Sequence, residues 1–335
     1  MKIFALSIIV TIIALLLSFI WGGVAALTLC SLLIAMEIGF SFDNAVVNAV
    51  VLKHMDDKWQ KRFLTWGMFI CVFGMYYLFP IVIVSVATGI GIVDTTRMAL
   101  TDQATYAEHL HNAHTSIAAF GGMFLLMVFL KFIMDQGKEV HWLGAIEHRL
   151  AQMGKLDAVE TIIAILFLLG LQHFLPDPQS HEALVAGIFG VVLYVAVKSI
   201  TSLFAGEDAG NAVAGYSGAM GFVYLNLLDA SFSLDAVVGS FAISTDIVII
   251  MLGLSAGAMF VRSITVYMVR KGTLDNYVYL EHGAHYGIGA LAVIMLVSIL
   301  HPVSEVITGL IGILFILLAF WSSVRHTRAA LQHKE

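Results

Sequence analysis

Long apolar stretches follow one another along nearly the whole chain, and they restrict its fold more than any other feature. Each has about 20 residues, the length that an α-helix needs to cross a bilayer. Only 12% of the 335 residues are charged and 60% are hydrophobic, whereas soluble domains carry about 25% charged residues. A transmembrane β-barrel would instead show alternating hydrophobicity. The sequence therefore predicts an all-α, polytopic membrane protein with about ten transmembrane helices, at 3–21, 26–52, 63–90, 112–134, 158–175, 183–204, 214–243, 246–269, 283–300 and 303–323.

Positive charges are distributed unevenly between the connecting segments of these predicted helices. If both termini lie on the inner side, most of the 17 Lys and Arg residues fall in inner segments, whereas Arg97 lies clearly outside. Cytoplasmic loops of membrane proteins carry such an excess of Lys and Arg. The sequence therefore predicts a multi-pass protein with both termini in the cytoplasm.

Two of the apolar stretches carry nearly the same acidic motif at their centres. Glu37 and Asp43 enclose a Phe-Ser pair in the first, and Asp229 and Asp235 do so in the second. Both copies read carboxylate-x-x-Phe-Ser-apolar-Asp. Because a central Asp costs about 2.5–3.5 kcal/mol in a membrane helix, these acids must face water, cations or each other, or be protonated.

A second repeated feature extends the similarity between the two parts of the chain. His-x-x-His pairs open the fourth and ninth predicted helices, as His111/His114 and His282/His285. The chain then divides into two five-helix repeats, residues 1–178 and 179–335, within one integral membrane domain. Five is odd, so the second repeat is inverted, which is typical of secondary transporters with a site near mid-membrane. A repeat that only assists folding is the alternative, and the central acids argue against it.

Oxygen atoms dominate the candidate site. At about 100° per residue, Glu37, Ser41, Asn44 and Asn48 form one polar stripe, and Asp43 lies off it. We hypothesise local unwinding near residues 39–42 and 231–234, which would turn the acids inward. Hard oxygen ligands favour Mg²⁺, Ca²⁺ or Mn²⁺, and the alternative is a structural hydrogen-bond network. The predicted metal-binding residues are Glu37, Ser41, Asp43, Asn44, Asp229, Ser233 and Asp235.

Other polar residues in the apolar stretches could gate the site or relay protons. Arg262 either pairs with one of the acids, the interpretation we favour, or extends to the inner surface. The two His pairs could form one gate or relay at each mouth, because imidazole binds metals and protons. The alternative is that these histidines simply cap helix starts at the membrane interface.

The paired acidic motif also resembles that of a known family. It is similar to the TerC family of integral membrane proteins, grouped with the LysE superfamily of exporters, and in particular to its longer bacterial branch. The residues that carry the resemblance are Glu37-x-x-x-Ser41-x-Asp43-Asn44 and Asp229-x-x-Phe-Ser-x-Asp235. The resemblance implies Mn²⁺ export across the bacterial inner membrane, with Glu37, Asp43, Asn44, Asp229 and Asp235 lining the ion site. Two departures are Ala236, which stands where the first copy has Asn44, and the His-x-x-His pairs.

Together these observations predict a transporter that exports a divalent cation, Mn²⁺ first, by alternating access coupled to protons or to the membrane potential. Nothing resembles an ATP site, and no permanently bound cofactor is expected. The expected partners are lipid and divalent cations, not nucleic acid, and homo-oligomerisation is left open. Three alternatives remain: a scaffold or assembly factor, transport of Ca²⁺ or another cation, and an intramembrane aspartyl-type enzyme. The last lacks the Gly-x-Gly-Asp signature, so we expect no enzyme.

Overall fold

The protein is helical in every regular element that the structure describes. The structure is a computed structural model that describes residues 3–53, 55–67, 69–138, 140–154, 158–204, 218–241, 243–272 and 277–332. No strand occurs in these ranges. Six helices within them are long and apolar enough to cross a membrane. The all-α membrane class is therefore confirmed.

Helices make up most of the described chain. The helices are α1 (Ala5–Phe40), α2 (Phe42–Leu52), α3 (Asp57–Arg62), α4 (Phe79–Thr88), α5 (Ile92–Thr101), α6 (Gln103–Asn112), α7 (His114–Ile133), α8 (Ala145–Met153), α9 (Val159–Gln172), α10 (Gln179–Phe204), α11 (Gly218–Ser240), α12 (Ile247–Lys271), α13 (Leu280–Ser298) and α14 (Glu305–Gln332). The six long apolar helices are α1, α7, α10, α12, α13 and α14. Two π-helical segments, Phe63–Gly67 and Ile70–Leu78, connect α3 to α4.

Helix α1 is interrupted by a pair of glycines. Gly22 has φ −141° and ψ 20°, and Gly23 has φ 66° and ψ −150°, so neither is helical. A positive φ of this size is adopted readily only by glycine. The interruption falls between the predicted helices 3–21 and 26–52, and it divides α1 into two segments.

Contacts with α12 give the direction of the first segment of α1. Ser7 Oγ donates to Met259 O at 2.9 Å, and Trp21 Nε1 donates to Asp246 Oδ2 at 2.9 Å. Residue numbers therefore rise along α1 as they fall along α12, which makes the two antiparallel.

The second segment of α1 runs the other way along α12. A Cβ added to Gly253 would lie 2.5 Å from Leu33 Cβ, and one added to Gly257 would lie 2.5 Å from Glu37 Cβ. Small residues permit such close helix approach in membranes. The chain therefore turns back at Gly22–Gly23, and α1 forms a helical hairpin against α12.

The two copies of the acidic motif differ in backbone structure. Ser41, with φ −93° and ψ 19°, separates α1 from α2, but its N–H still donates to Glu37 O at 3.0 Å and its carbonyl accepts from Ala45 N at 3.3 Å. The predicted unwinding near residues 39–42 is therefore limited to a one-residue break. Helix α11 is continuous, so the predicted unwinding at 231–234 is wrong. The first copy has Gly39 where the second has Ser231, and glycine costs a helix about 1 kcal/mol relative to alanine. Ser231 Oγ instead donates to Leu227 O within the helix, at 3.1 Å.

Candidate functional site

The polar stripe predicted on the first motif faces one small cavity. Four of its residues line a cavity of about 20 Å³ together with residues of α11 and α12. We call it the arginine cavity. Its main polar lining residues are Glu37, Ser41, Asn44, Asn48, Tyr76, Asp229, Ser233 and Arg262. The four residues that helical spacing placed in one stripe therefore do line one cavity.

Glu37 is buried and receives two hydrogen bonds on one oxygen. Ser41 Oγ donates to Glu37 Oε1 at 3.0 Å, and Tyr76 Oη donates to the same atom at 2.9 Å. Tyr76 lies in the second π-helical segment, and π-helical turns are often found at functional sites. Sequence reasoning missed Tyr76, because a tyrosine in an apolar stretch carries no signal of its contacts.

Asp43 is also buried, but its carboxylate turns toward a different pair of helices. The main chain of Asn44 donates to Asp43 Oδ1 at 2.9 Å. On the other side, a Cβ added to Gly312 of α14 would lie 2.5 Å from Asp43 Oδ2, and one added to Gly287 of α13 would lie 3.9 Å from it. Two glycines therefore make room for this carboxylate, and neither was singled out from the sequence.

The second motif contributes an ion pair. Asp229 Oδ2 pairs with Arg262 Nη2, and both side chains are almost fully buried. Asn48 Nδ2 donates to Asp229 Oδ1 at 2.6 Å. Arg262 Nη1 also donates to Phe63 O at 3.3 Å, and its guanidinium lies 4.5 Å from the centre of the Phe63 ring. The predicted pairing of Arg262 with a site acid is thus confirmed.

A second cavity connects the two motifs and also includes Asp43. It measures about 60 Å³, and we call it the central cavity. Its lining residues are Met36, Glu37, Ser41, Asp43, Asn44, Phe232, Ala236, Leu291, Thr308 and Gly309. Ala236, the departure from the motif, thus faces the same space as Asn44. The side chain of Asp235 lies outside the described part of the chain.

A larger cavity of about 630 Å³, the vestibule, adjoins the central cavity. Met36 and Thr308 line both. The vestibule is also lined by His111 and His114, where α6 ends and α7 begins, and by Ser298 and Ser304, where α13 ends and α14 begins. Shared lining residues therefore connect the three spaces, from the vestibule to the Asp229–Arg262 pair.

The two His-x-x-His pairs have different surroundings. His114 Nε2 lies 3.4 Å from Ser298 Oγ in the vestibule. His282 Nε2 instead lies 2.9 Å from Val140 O and 3.4 Å from Glu147 Oε1, and His285 stacks on a phenylalanine of α7. The first pair therefore lines the vestibule, and the second packs against the end of α7 and the segment that follows it.

Helix α8 is held near His282 through Glu147. Burial alone would raise the pKa of Glu147, but hydrogen bonds from Lys138 Nζ and Leu143 N, with the charge of Lys138, hold that pKa below its ordinary value. A carboxyl with a depressed pKa contributes stability above its unfolded pKa and loses it as pH falls through the folded pKa. We expect hydrogen exchange in α8 to accelerate below pH 4.5, the ordinary value.

The matched variant for this prediction is Glu147→Gln. It should exchange faster than the native protein at pH 7 and show little further change on acidification. His282 faces Glu147 and gains charge on acidification, so His282→Asn separates its contribution. Equal protection of α8 in the native protein and in Glu147→Gln at pH 7 would contradict the assignment.

Among the described residues, no group of three or more His, Cys, Asp or Glu is placed to hold a metal ion.

Comparisons with known proteins identify a family but no function. A family model described as a protein of unknown function (DUF475) matches residues 42–330. No curated protein and no solved structure matches the chain.

Proposed function

The chain belongs to the DUF475 family, whose description gives no function, and from the geometry of its site we propose that it is a secondary transporter of a divalent cation, Mn²⁺ first. The observation that carries the proposal is the burial of Glu37 and Asp43 around the central cavity, which the vestibule adjoins. Ionisable residues inside membrane segments commonly mark ion pathways.

The chemistry of the central cavity supports a hard cation. Its polar lining consists of carboxylate, hydroxyl and amide groups from Glu37, Ser41, Asp43, Asn44 and Thr308. Carboxylate and carbonyl oxygens suit Mg²⁺, Ca²⁺ and Mn²⁺ better than soft metals. Because His, Cys, Asp and Glu alone do not form a cluster among the described residues, hydroxyl and amide oxygens or water would complete the coordination. Mn²⁺ is preferred among these ions because of the resemblance to the TerC family.

We also propose that ten helices form two inverted five-helix repeats, which move relative to one another in alternating access. The helix contacts are consistent with this plan. Helix α9 packs against α7 and α10, and α14, its counterpart in the second half, packs against α13 and α1. The vestibule would then be the access route from one side of the membrane. Protons or the membrane potential would drive the ion.

The direction and place of transport follow from the resemblance and from the distribution of charge. Exporters of the TerC family imply movement out of the cytoplasm. The excess of Lys and Arg in the predicted inner segments supports both termini in the cytoplasm of a bacterium. The protein would therefore relieve an excess of the metal across the inner membrane.

The test is transport in proteoliposomes that contain the full chain. Mn²⁺ is offered first, then Ca²⁺, Mg²⁺ and Zn²⁺, while a dye follows the internal pH. We expect Mn²⁺ flux above that of protein-free vesicles, and a pH change only if protons are exchanged. Flux of none of the four ions would reject the proposal and return attention to a scaffold role.

Replacing Gly312 by alanine should impair transport without removing any acid. The added Cβ would lie 2.5 Å from Asp43 Oδ2, which forces the carboxylate out of place. A misplacement of about 1 Å can cost roughly 100-fold in an oriented site, so we expect at least a tenfold lower initial rate of Mn²⁺ uptake, measured in proteoliposomes.

Gly170→Ala is the matched control for this variant. Gly170 lies on an exposed face of α9 and lines none of the three cavities, and an added Cβ there meets nothing within 4 Å. Gly170→Ala should therefore transport at close to the native rate. If Gly312→Ala also keeps the native rate, the position of Asp43 is irrelevant to transport.

A further inference from the structure

The acids of the site differ in which groups donate hydrogen bonds to their carboxylate oxygens. Both oxygens of Asp229 have protein donors, Asn48 Nδ2 on Oδ1 and Arg262 Nη2 on Oδ2. Both described side-chain donors to Glu37 instead converge on Oε1, and the described donor to Asp43 is a main-chain N–H. Arg262 forms a buried ion pair with Asp229.

Arg262 is held in position by Phe63 and Gly67, neither of which lines the central cavity. Its Nη1 donates to Phe63 O, and its guanidinium lies over the Phe63 ring. Gly67 approaches so closely that an added Cβ would lie 3.0 Å from Nη1. A guanidinium fixed by a carboxylate, a carbonyl and a ring is a permanent part of the site, since each contact would be lost if it moved.

The charges of the described groups then match one kind of ion. Among the motif acids whose side chains the structure describes, which do not include Asp235, Glu37, Asp43 and Asp229 carry three negative charges when ionised, and Arg262 neutralises one. Two negative charges remain, both on acids that line the central cavity. A monovalent cation would leave at least one of these buried charges uncompensated, which is costly, so a divalent cation is favoured.

We propose that Asp229 is the fixed counter-ion of Arg262 and does not bind the transported cation, and that this pair leaves Glu37 and Asp43 to neutralise a divalent ion. The inference rests on the proposed function. The two copies of the motif then have different roles. Glu37 and Asp43 of the first copy bind the ion, and Asp229 of the second copy neutralises Arg262. Arg262 is accordingly a specificity-determining residue.

The experiment compares Mn²⁺ binding by the full chain in detergent, using the electron paramagnetic resonance signal of free Mn²⁺. The variants are Asp229→Asn and the double variant Asp229→Asn/Arg262→Gln. Asp229→Asn leaves Arg262 uncompensated, so one net negative charge is lost and the Kd for Mn²⁺ should rise at least about tenfold. The double variant has the native net charge, and its Kd should stay within about threefold of the native value.

Each outcome decides a different point. If the double variant binds as weakly as Asp229→Asn, Asp229 is a ligand and the inference is overturned. If Asp229→Asn binds like the native protein, the charge of Arg262 does not reach the ion and the inference also fails. If Asp229→Asn does not fold, the double variant still decides, because it contains neither charge. Absence of Mn²⁺ binding to the native protein would instead reject the proposed function.

Discussion

Replacing Asp43 by asparagine is expected to lower Mn²⁺ transport by roughly 100-fold or more, because two unit charges about 4 Å apart interact by about 4 kcal/mol at an effective dielectric constant near 20. Asparagine has nearly the same shape, so the close packing against Gly312 and Gly287 can remain. One of the two uncompensated charges is lost, and a divalent ion is then bound with a net charge left over. The folded protein should therefore persist while its flux stops.

The measurement is the initial rate of Mn²⁺ uptake into proteoliposomes with equal amounts of folded protein. Asp94→Asn is the matched control, because it makes the same chemical change on an exposed face of α5. That control should keep the native rate. Near-native uptake by Asp43→Asn would show that the central cavity does not bind the transported ion.

Replacing Arg262 by glutamine is expected to destabilise the protein by about 3–5 kcal/mol, the range found when one partner of a buried ion pair is removed. Both partners are almost completely buried, so water compensates the charge left on Asp229 poorly. The variant also loses the contact with the Phe63 ring and the hydrogen bond to Phe63 O. Denaturation of the purified protein, followed by helical circular dichroism, gives the change in free energy of unfolding.

Arg325→Gln is the comparison for this second variant. Arg325 lies over the ring of Trp321 at 3.7 Å, on an exposed face near the end of α14. An exposed cation–π contact contributes about 0.5–1 kcal/mol, so its loss should be small. Adding Asp229→Asn to Arg262→Gln should recover most of the lost stability, since buried pairs can often be replaced by neutral residues. Equal effects of Arg262→Gln and Arg325→Gln would show that the buried pair is unimportant.

The local part of the site could be predicted from the sequence, because it depends on helix geometry. Residues spaced by three or four positions share a face, and Glu37, Ser41 and Asn44 do line one cavity. The neighbours of Asp43 depend on helices that lie more than 240 residues away in sequence. No local periodicity could have identified Gly287 and Gly312 as the surface that receives this carboxylate.

The internal repeat predicted matching residues but not matching surroundings. Both motifs have the same acidic pattern, but a glycine in the first allows the break at Ser41, and α11 continues through the second. The His pairs differ in the same way: His114 lines the vestibule, and His282 lies beside Val140 O and Glu147. A repeated sequence fixes the side chains that are available, and packing against non-equivalent neighbours decides what each can contact.

The π-helical segments between α3 and α4 make the site sensitive to the length of the chain. A π-helical hydrogen bond joins residues five positions apart, whereas an α-helical bond joins residues four apart. Each π-helical turn therefore contains more residues. Deleting one residue between Phe63 and Tyr76, with the helical winding otherwise unchanged, would rotate everything beyond the deletion by roughly a quarter of a turn. Tyr76 would then face away from Glu37 while Phe63 stayed beside Arg262. An insertion or deletion that changes no acidic residue would thus remove the Tyr76–Glu37 hydrogen bond and leave the Phe63–Arg262 contact in place.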